Sequence, residues 1–246
     1  MMNDTLARQK ARAVGKITTA LLLNDPSEED LRVINSLSDA TAKRRVKAIY
    51  FPGGKGLVKK AEGVYPEFLL EFHDGWVEFY KNFDITIDLN DFPLPNNLIL
   101  EPGQNYWSII VPDGMNPQKA FELRKQITPV CEYTSVSKII DVYPRVKVSV
   151  IRAEQNAKIL HPNTSLNKSM ELGLFGTTFT EGCLIDGRVC KDSGIHLDVD
   201  GWTLHTGSRY SGGDVPSSGW LLGRFYVDSL NPDDADPGLS LRQKQF

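Results

Sequence analysis

Asp-Gly dipeptides at Asp74-Gly75, Asp186-Gly187 and Asp200-Gly201 stand between short runs rich in β-branched and aromatic residues. Asp-Gly supplies the positive φ angles that a two-residue hairpin turn requires, so antiparallel pairing around each is the expected outcome. Around Asp74-Gly75, residues Glu67 to His73 and Trp76 to Asn82 form a predicted hairpin with Phe72 opposite Val77 and Leu70 opposite Phe79. Ile85 to Leu89, Tyr106 to Val111 and Val142 to Ile151 read as further strands, the last with Val146, Val148 and Val150 on one face and Arg145, Lys147 and Ser149 on the other. A helix is predicted from Pro117 to Ile127, capped by Asn116 and stopped before Pro129. The aromatic residues Trp76, Phe79, Tyr80, Phe83 and Trp107 sit among acidic neighbours and read as core.

The front of the chain has a different texture. From Thr5 to Leu23, Leu6, Val14, Ile17 and Leu21 recur at helical spacing, with Arg8, Arg12 and Lys16 on another face. Asp25-Pro26 starts a second helix, which ends near Lys47 in the cluster Lys43, Arg44, Arg45 and Lys47. Phe51 to Gly56 lacks phosphate-loop spacing and reads as a hinge. The fold class expected is therefore α+β: a basic helical arm (1–50), a mainly antiparallel, hairpin-rich β body with one packed helix (57–230), and a flexible acidic and polar tail (231–246).

Charge sharpens this division. Residues 1–60 hold 12 Lys/Arg against 6 Asp/Glu, a balance of +6, whereas residues 61–246 hold 16 against 25, a balance of −9. Such a split suits either an acidic partner or head-to-tail complementarity between copies. No apolar run approaches the roughly 18 residues of a membrane helix, and Arg8, Lys10, Arg12 and Lys16 interrupt any signal-peptide core. Three cysteines are too few for a secreted disulfide framework, so a cytoplasmic setting, or a particle assembled there, is expected. The Arg/Lys-bearing amphipathic start also fits a transit peptide.

The candidate chemistry lies between residues 182 and 206. Hairpins at Asp186-Gly187 and Asp200-Gly201 would pair Cys183 with Cys190 and His196 with His205, and a link at Asp192-Ser193-Gly194 would set Cys190 beside His196. Strands lie about 4.8 Å apart, so only a contiguous subset of such a row could share a zinc ion: Cys190, His196 and His205, with Asp198. The bland alternative makes this row a solvated face, with Leu184, Val189, Ile195, Leu197, Trp202 and Leu204 as core. A Cys183–Cys190 bridge is a third reading. The sequence holds no Gly-x-Ser-x-Gly elbow, EF-hand loop or dinucleotide-binding glycine motif.

These features point to a non-enzymatic structural, assembly or interaction protein, for instance a subunit of a viral or phage-like particle. Its partners would be proteins, or nucleic acid through the basic arm (Arg8, Arg12, Lys16, Lys43, Arg44, Arg45, Lys47), and no membrane is expected. The competing expectations are a metal-dependent hydrolase built on the Cys/His row, with zinc, and a β-sheet ligand-binding module.

Overall fold

The computed structural model describes residues 57–60, 63–96, 98–143, 146–157 and 160–245. These belong to a unit spanning Lys55–Phe246. The two helices and the hinge predicted before Leu57, with the basic residues Arg8, Arg12, Lys16, Lys43, Arg44, Arg45 and Lys47, lie outside the described residues.

The class is α+β. In chain order the elements are β1 (Leu57–Lys60), β2 (Gly63–Pro66), α1 (Glu67–Asp74), α2 (Trp76–Lys81), β3 (Tyr106–Ile110), α3 (Pro117–Lys125), β4 (Val130–Glu132), β5 (Ile139–Asp141), β6 (Val148–Arg152), α4 (Leu166–Glu171), α5 (Phe179–Ser193), β7 (Trp202–Leu204), β8 (Ser208–Tyr210), β9 (Val215–Leu221), β10 (Arg224–Leu230) and β11 (Leu239–Ser240). The main sheet runs β11-β7-β9-β10-β4, and β1-β2, β3-β6 and β5-β8 form two-stranded sheets. Pairing is antiparallel except where β11 joins β7 and β4 joins β10.

None of the Asp-Gly sites at Gly75, Gly187 and Gly201 turns a hairpin. Residues 67–81 are two consecutive helices, because the buried positions Leu69, Phe72, His73, Trp76, Phe79 and Tyr80 recur every three or four residues. From α2, Trp76 Nε1 donates to the Ser108 carbonyl (2.9 Å) and Tyr80 OH to that of Ile110 (2.6 Å), and from α1 His73 Nδ1 lies 3.2 Å from Ser108 Oγ, so both helices dock on β3. The aromatic residues Trp76, Phe79, Tyr80 and Trp107 are core, as expected. Gly75 has ordinary helical angles (φ −69°, ψ −9°). What it supplies is room, since a Cβ there would run into the Arg188 guanidinium, which lies 4.7 Å from the Phe72 ring centre and 5.1 Å from that of Trp76.

Asp186-Gly187 falls inside α5. This helix is framed by a capping box, with Glu181 N donating to Thr178 Oγ1 (3.2 Å) and Thr178 N donating to Glu181 Oε2 (2.7 Å). It stops at Gly194, whose φ of +73° is the left-handed conformation that ends helices. Every residue from Phe179 to Cys190 is buried, and the helix packs against α2, α3, β3, β5 and β9. Asp200-Gly201 lies in the loop before β7. A hairpin does join β9 to β10, through Leu222 (φ +47°) and Gly223 (φ +77°).

Helix α3 and strand β3 lie close to their predicted positions, and Asn116 Oδ1 caps α3 by accepting from Lys119 N (3.0 Å). Ile85 to Leu89 is not a strand, and the strand predicted from Val142 begins only at Val148. The expected loose tail is corrected in part. Six of the eight residues 231–238 are exposed, but Leu239 through Arg242 and Lys244 are buried. Average composition hid the reason, which is that this segment's two leucines and two cations all find partners in the body.

Candidate functional site

Around α5 the protein buries an unusual number of ionisable groups. Glu181 and Asp186 project from the helix, and Asp198 follows it. Each carboxylate meets a cation from a distant segment: Lys244 Nζ reaches Glu181 Oε1 (2.9 Å), Arg124 Nε reaches Asp186 Oδ2 (2.5 Å) and Arg242 Nη2 reaches Asp198 Oδ1 (2.9 Å). Their remaining oxygen capacity is filled as well. Ser149 donates to Glu181, Leu197 N to Asp186 Oδ1 (3.0 Å), and Thr203 Oγ1 and Ala157 N to Asp198 (2.6 and 2.8 Å). At the start of α5, Asp141 accepts from Thr180 and Ser208 (2.5 and 2.6 Å), while burial holds its carboxyl above the usual carboxylate range.

The four proposed metal ligands are not brought together. Cys190 sits in the last turns of α5, where burial pushes its thiol up to about 11. His196 stacks flat on Trp220, with ring centres 3.3 Å apart, instead of facing His205. His205 is in the core, with Nε2 2.8 Å from Ser218 Oγ, and Asp198 is saturated by Arg242, Thr203 and Ala157. Among the described residues no group of three His, Cys, Asp or Glu side chains could hold a metal ion. The bridge reading fails too. Cys183 and Cys190 are both free and lie two turns apart on one helix, about 10.5 Å by the helical rise and beyond disulfide reach. Of the row assigned to a solvated face, Cys183, Cys190 and His205 are buried and His196 is half-buried, because the segment up to Ser193 is a central helix and not a meander.

His205 and Ser218 resemble a nucleophile and its base, but the surroundings do not serve that chemistry. Burial, assisted by the Arg242 charge, pushes the imidazole down to about 3, far from the near-neutral value of an effective general base. The position that would orient the ring holds the Thr177 hydroxyl (3.4 Å), not a carboxylate. Ser218 lies mid-strand, paired to both Thr203 and Val227 and only 4% exposed. The space bounded by His205, Ser218, Asp198, Thr203 and Arg242 measures about 10 Å³, room for roughly one water molecule. This centre organises the core.

Large apolar groups are instead displayed outside. Leu222 is 84% exposed at the β9–β10 tip, Leu221 beside it is 45% exposed, and Tyr133 after β4 is 62% exposed. Tyr133 and Trp202 flank Tyr226 with ring centres 5.1 and 6.4 Å away. The other end of the sheet, at Leu204, Val215 and Leu239, is covered by Leu166 of α4. Sequence reading missed Glu181, Asp186, Arg124, Arg242 and Lys244. The Thr178-x-x-Glu181 capping box and Gly194 announced the helix, but nothing local announced its distant partners. No family model, curated protein or solved structure matches the chain. No helix among the described residues is long and apolar enough to cross a membrane.

Proposed function

We propose that this chain is a non-enzymatic assembly or interaction protein. Its basic segment 1–60 (+6) would meet an acidic partner surface or nucleic acid, and the acidic remainder (−9) would serve as a rigid docking body. The observation that carries this reading is Leu222. A bulky residue in the left-handed region costs roughly 1–2 kcal/mol, and hairpin tips of this kind normally use Asn or Gly there. This tip instead holds a leucine at φ +47° and presents it to solvent beside Leu221. Strain retained at an exposed apolar position is understandable if that side chain makes contact with another molecule. Tyr side chains, as at the exposed Tyr133, are enriched at the energetic centres of protein interfaces.

Size-exclusion chromatography with light scattering at low and high salt tests the proposal. The expected result is a mass above that of one chain at low salt, falling as ions screen the opposed charges. Leu222→Asn should weaken association while raising the melting temperature by about 2–4 °C through relief of the backbone strain. A monomer indifferent to both salt and Leu222→Asn would overturn the reading.

A further inference from the structure

Resting on the assembly reading and naming its partner, we infer that the strap at residues 239–245 can be exchanged between two copies of this chain. The strap is knitted into the body on several sides. Leu239 and Ser240 pair with Trp202 and Thr203, Ile151 bridges to Lys244, and Gly176 bridges to Gln243. Lys244 N donates to the Phe175 carbonyl (2.8 Å), and Gln245 N donates to that of Val150 (2.8 Å). Arg242 and Lys244 point inward to neutralise Asp198 and Glu181, and Leu241 is completely buried. A body lacking its strap therefore holds two uncompensated carboxylates, two leucine-sized gaps and unpaired strand edges. Its groove is a matched receptor for this one peptide sequence.

The connector is built differently. Residues 231–238 are mostly exposed and contain Pro232 and Pro237. Their hydrogen bonds are mainly internal turns, as where Asn231 N donates to Asp234 Oδ2 (2.9 Å) and Gly238 N to Asp236 Oδ1 (2.7 Å). The body holds the connector through Asn167, whose backbone N donates to the Pro232 carbonyl (3.1 Å) and whose side chain donates to Asp233 (2.5 Å), and at its far end through Trp202 N, which donates to the Gly238 carbonyl (2.8 Å). Straightening this stretch gives up a few surface bonds, and every contact of the strap itself is the same whichever copy supplies it. Exchange of an identical element under those conditions is a low-cost route to a dimer. The opposed charge balances of the two parts of the chain bring copies together.

The test places a cysteine on each side of the strap's parallel pairing in the full chain, Thr203→Cys with Ser240→Cys, and separates oligomers before oxidation. Exchanged dimers must become covalent dimers on a non-reducing gel, because each new disulfide joins two chains, and each single-cysteine variant controls for the native thiols. Dimers that run as monomers on that gel retain their own straps. That result overturns exchange and leaves assembly standing. Should the double variant not fold, differently tagged wild-type chains are mixed at high concentration and moved into high salt. Exchange predicts a fraction of mixed-tag dimers of doubled mass that persists there after the complexes held by charge alone have dissolved, whereas complete loss of association in salt, or no mixed-tag complex at all, overturns it. Absence of any association at any salt removes the assembly reading as well.

Discussion

Replacing Lys244 by methionine isolates what the strap contributes to the core. Met fills nearly the same volume as the lysine stem, so packing changes little and the main loss is the ammonium 2.9 Å from Glu181 Oε1. Glu181 retains the Ser149 hydroxyl and the Thr178 amide, but its carboxylate, with a side chain only 3% exposed, has no counter-ion left. Breaking a buried pair from one side costs about 3–5 kcal/mol, because the surviving charge remains desolvated. With a urea dependence of about 2 kcal/mol per molar, the unfolding midpoint should fall by roughly 1.5–2.5 M. Adding Glu181→Gln should restore most of the loss, since a neutral amide still accepts from Thr178 N and requires no cation. Chemical unfolding of wild type, both single variants and the double variant completes a thermodynamic cycle. A Lys244→Met penalty below about 1 kcal/mol, or a cycle coupling indistinguishable from zero, would refute the claim that this pair is a desolvated, mutually dependent unit.

Three further outcomes follow from the same core. Gly182→Ala should destabilise by about 1–3 kcal/mol despite the better helix propensity of alanine, because the added methyl meets the His205 ring; a gain in melting temperature would contradict that packing. His205 sits at about 3 in the folded protein against 6.5 when exposed, so the unfolded chain binds one more proton between those values. Its contribution is complete above pH 6.5 and is lost at about 1.4 kcal/mol per pH unit as acidity rises toward pH 3, and unfolding free energies of His205→Gln should show a slope shallower by one proton. Of the three free thiols, Cys131 is half-buried whereas Cys183 and Cys190 are buried with raised pKa values, so a thiol reagent should label one cysteine quickly and all three only after unfolding.

Structure was legible in the sequence where the signals were local and unambiguous. Asn116 before Pro117 marked α3, and the apolar run at Tyr106 marked β3. Legibility failed where a residue had two physical uses. Gly75 and Gly187 suggested turns because glycine tolerates positive φ, yet both serve the second property of glycine, the absence of a Cβ, beside Arg188 and beside Ile127 and Arg124. A capping box at Thr178 and Glu181 and a three-to-four-residue recurrence of buried aromatics around Trp76 specify helix there more strongly than a dipeptide specifies a turn. The pairings of Lys244 with Glu181 and Arg242 with Asp198 could not be read, because no local pattern specifies which cation meets which acid across 63 and 44 positions.

Those two separations also set a timetable for synthesis. At about 5–20 residues per second, Glu181 waits roughly 3–13 s after translation before Lys244 has even been made. During that interval α5 can form its backbone, but it cannot settle into a dry interior without stranding a negative charge. Until then the groove that receives the strap, with its two acids and two leucine-sized gaps, stays unfilled. Closure of that interior waits on the arrival of two positive side chains.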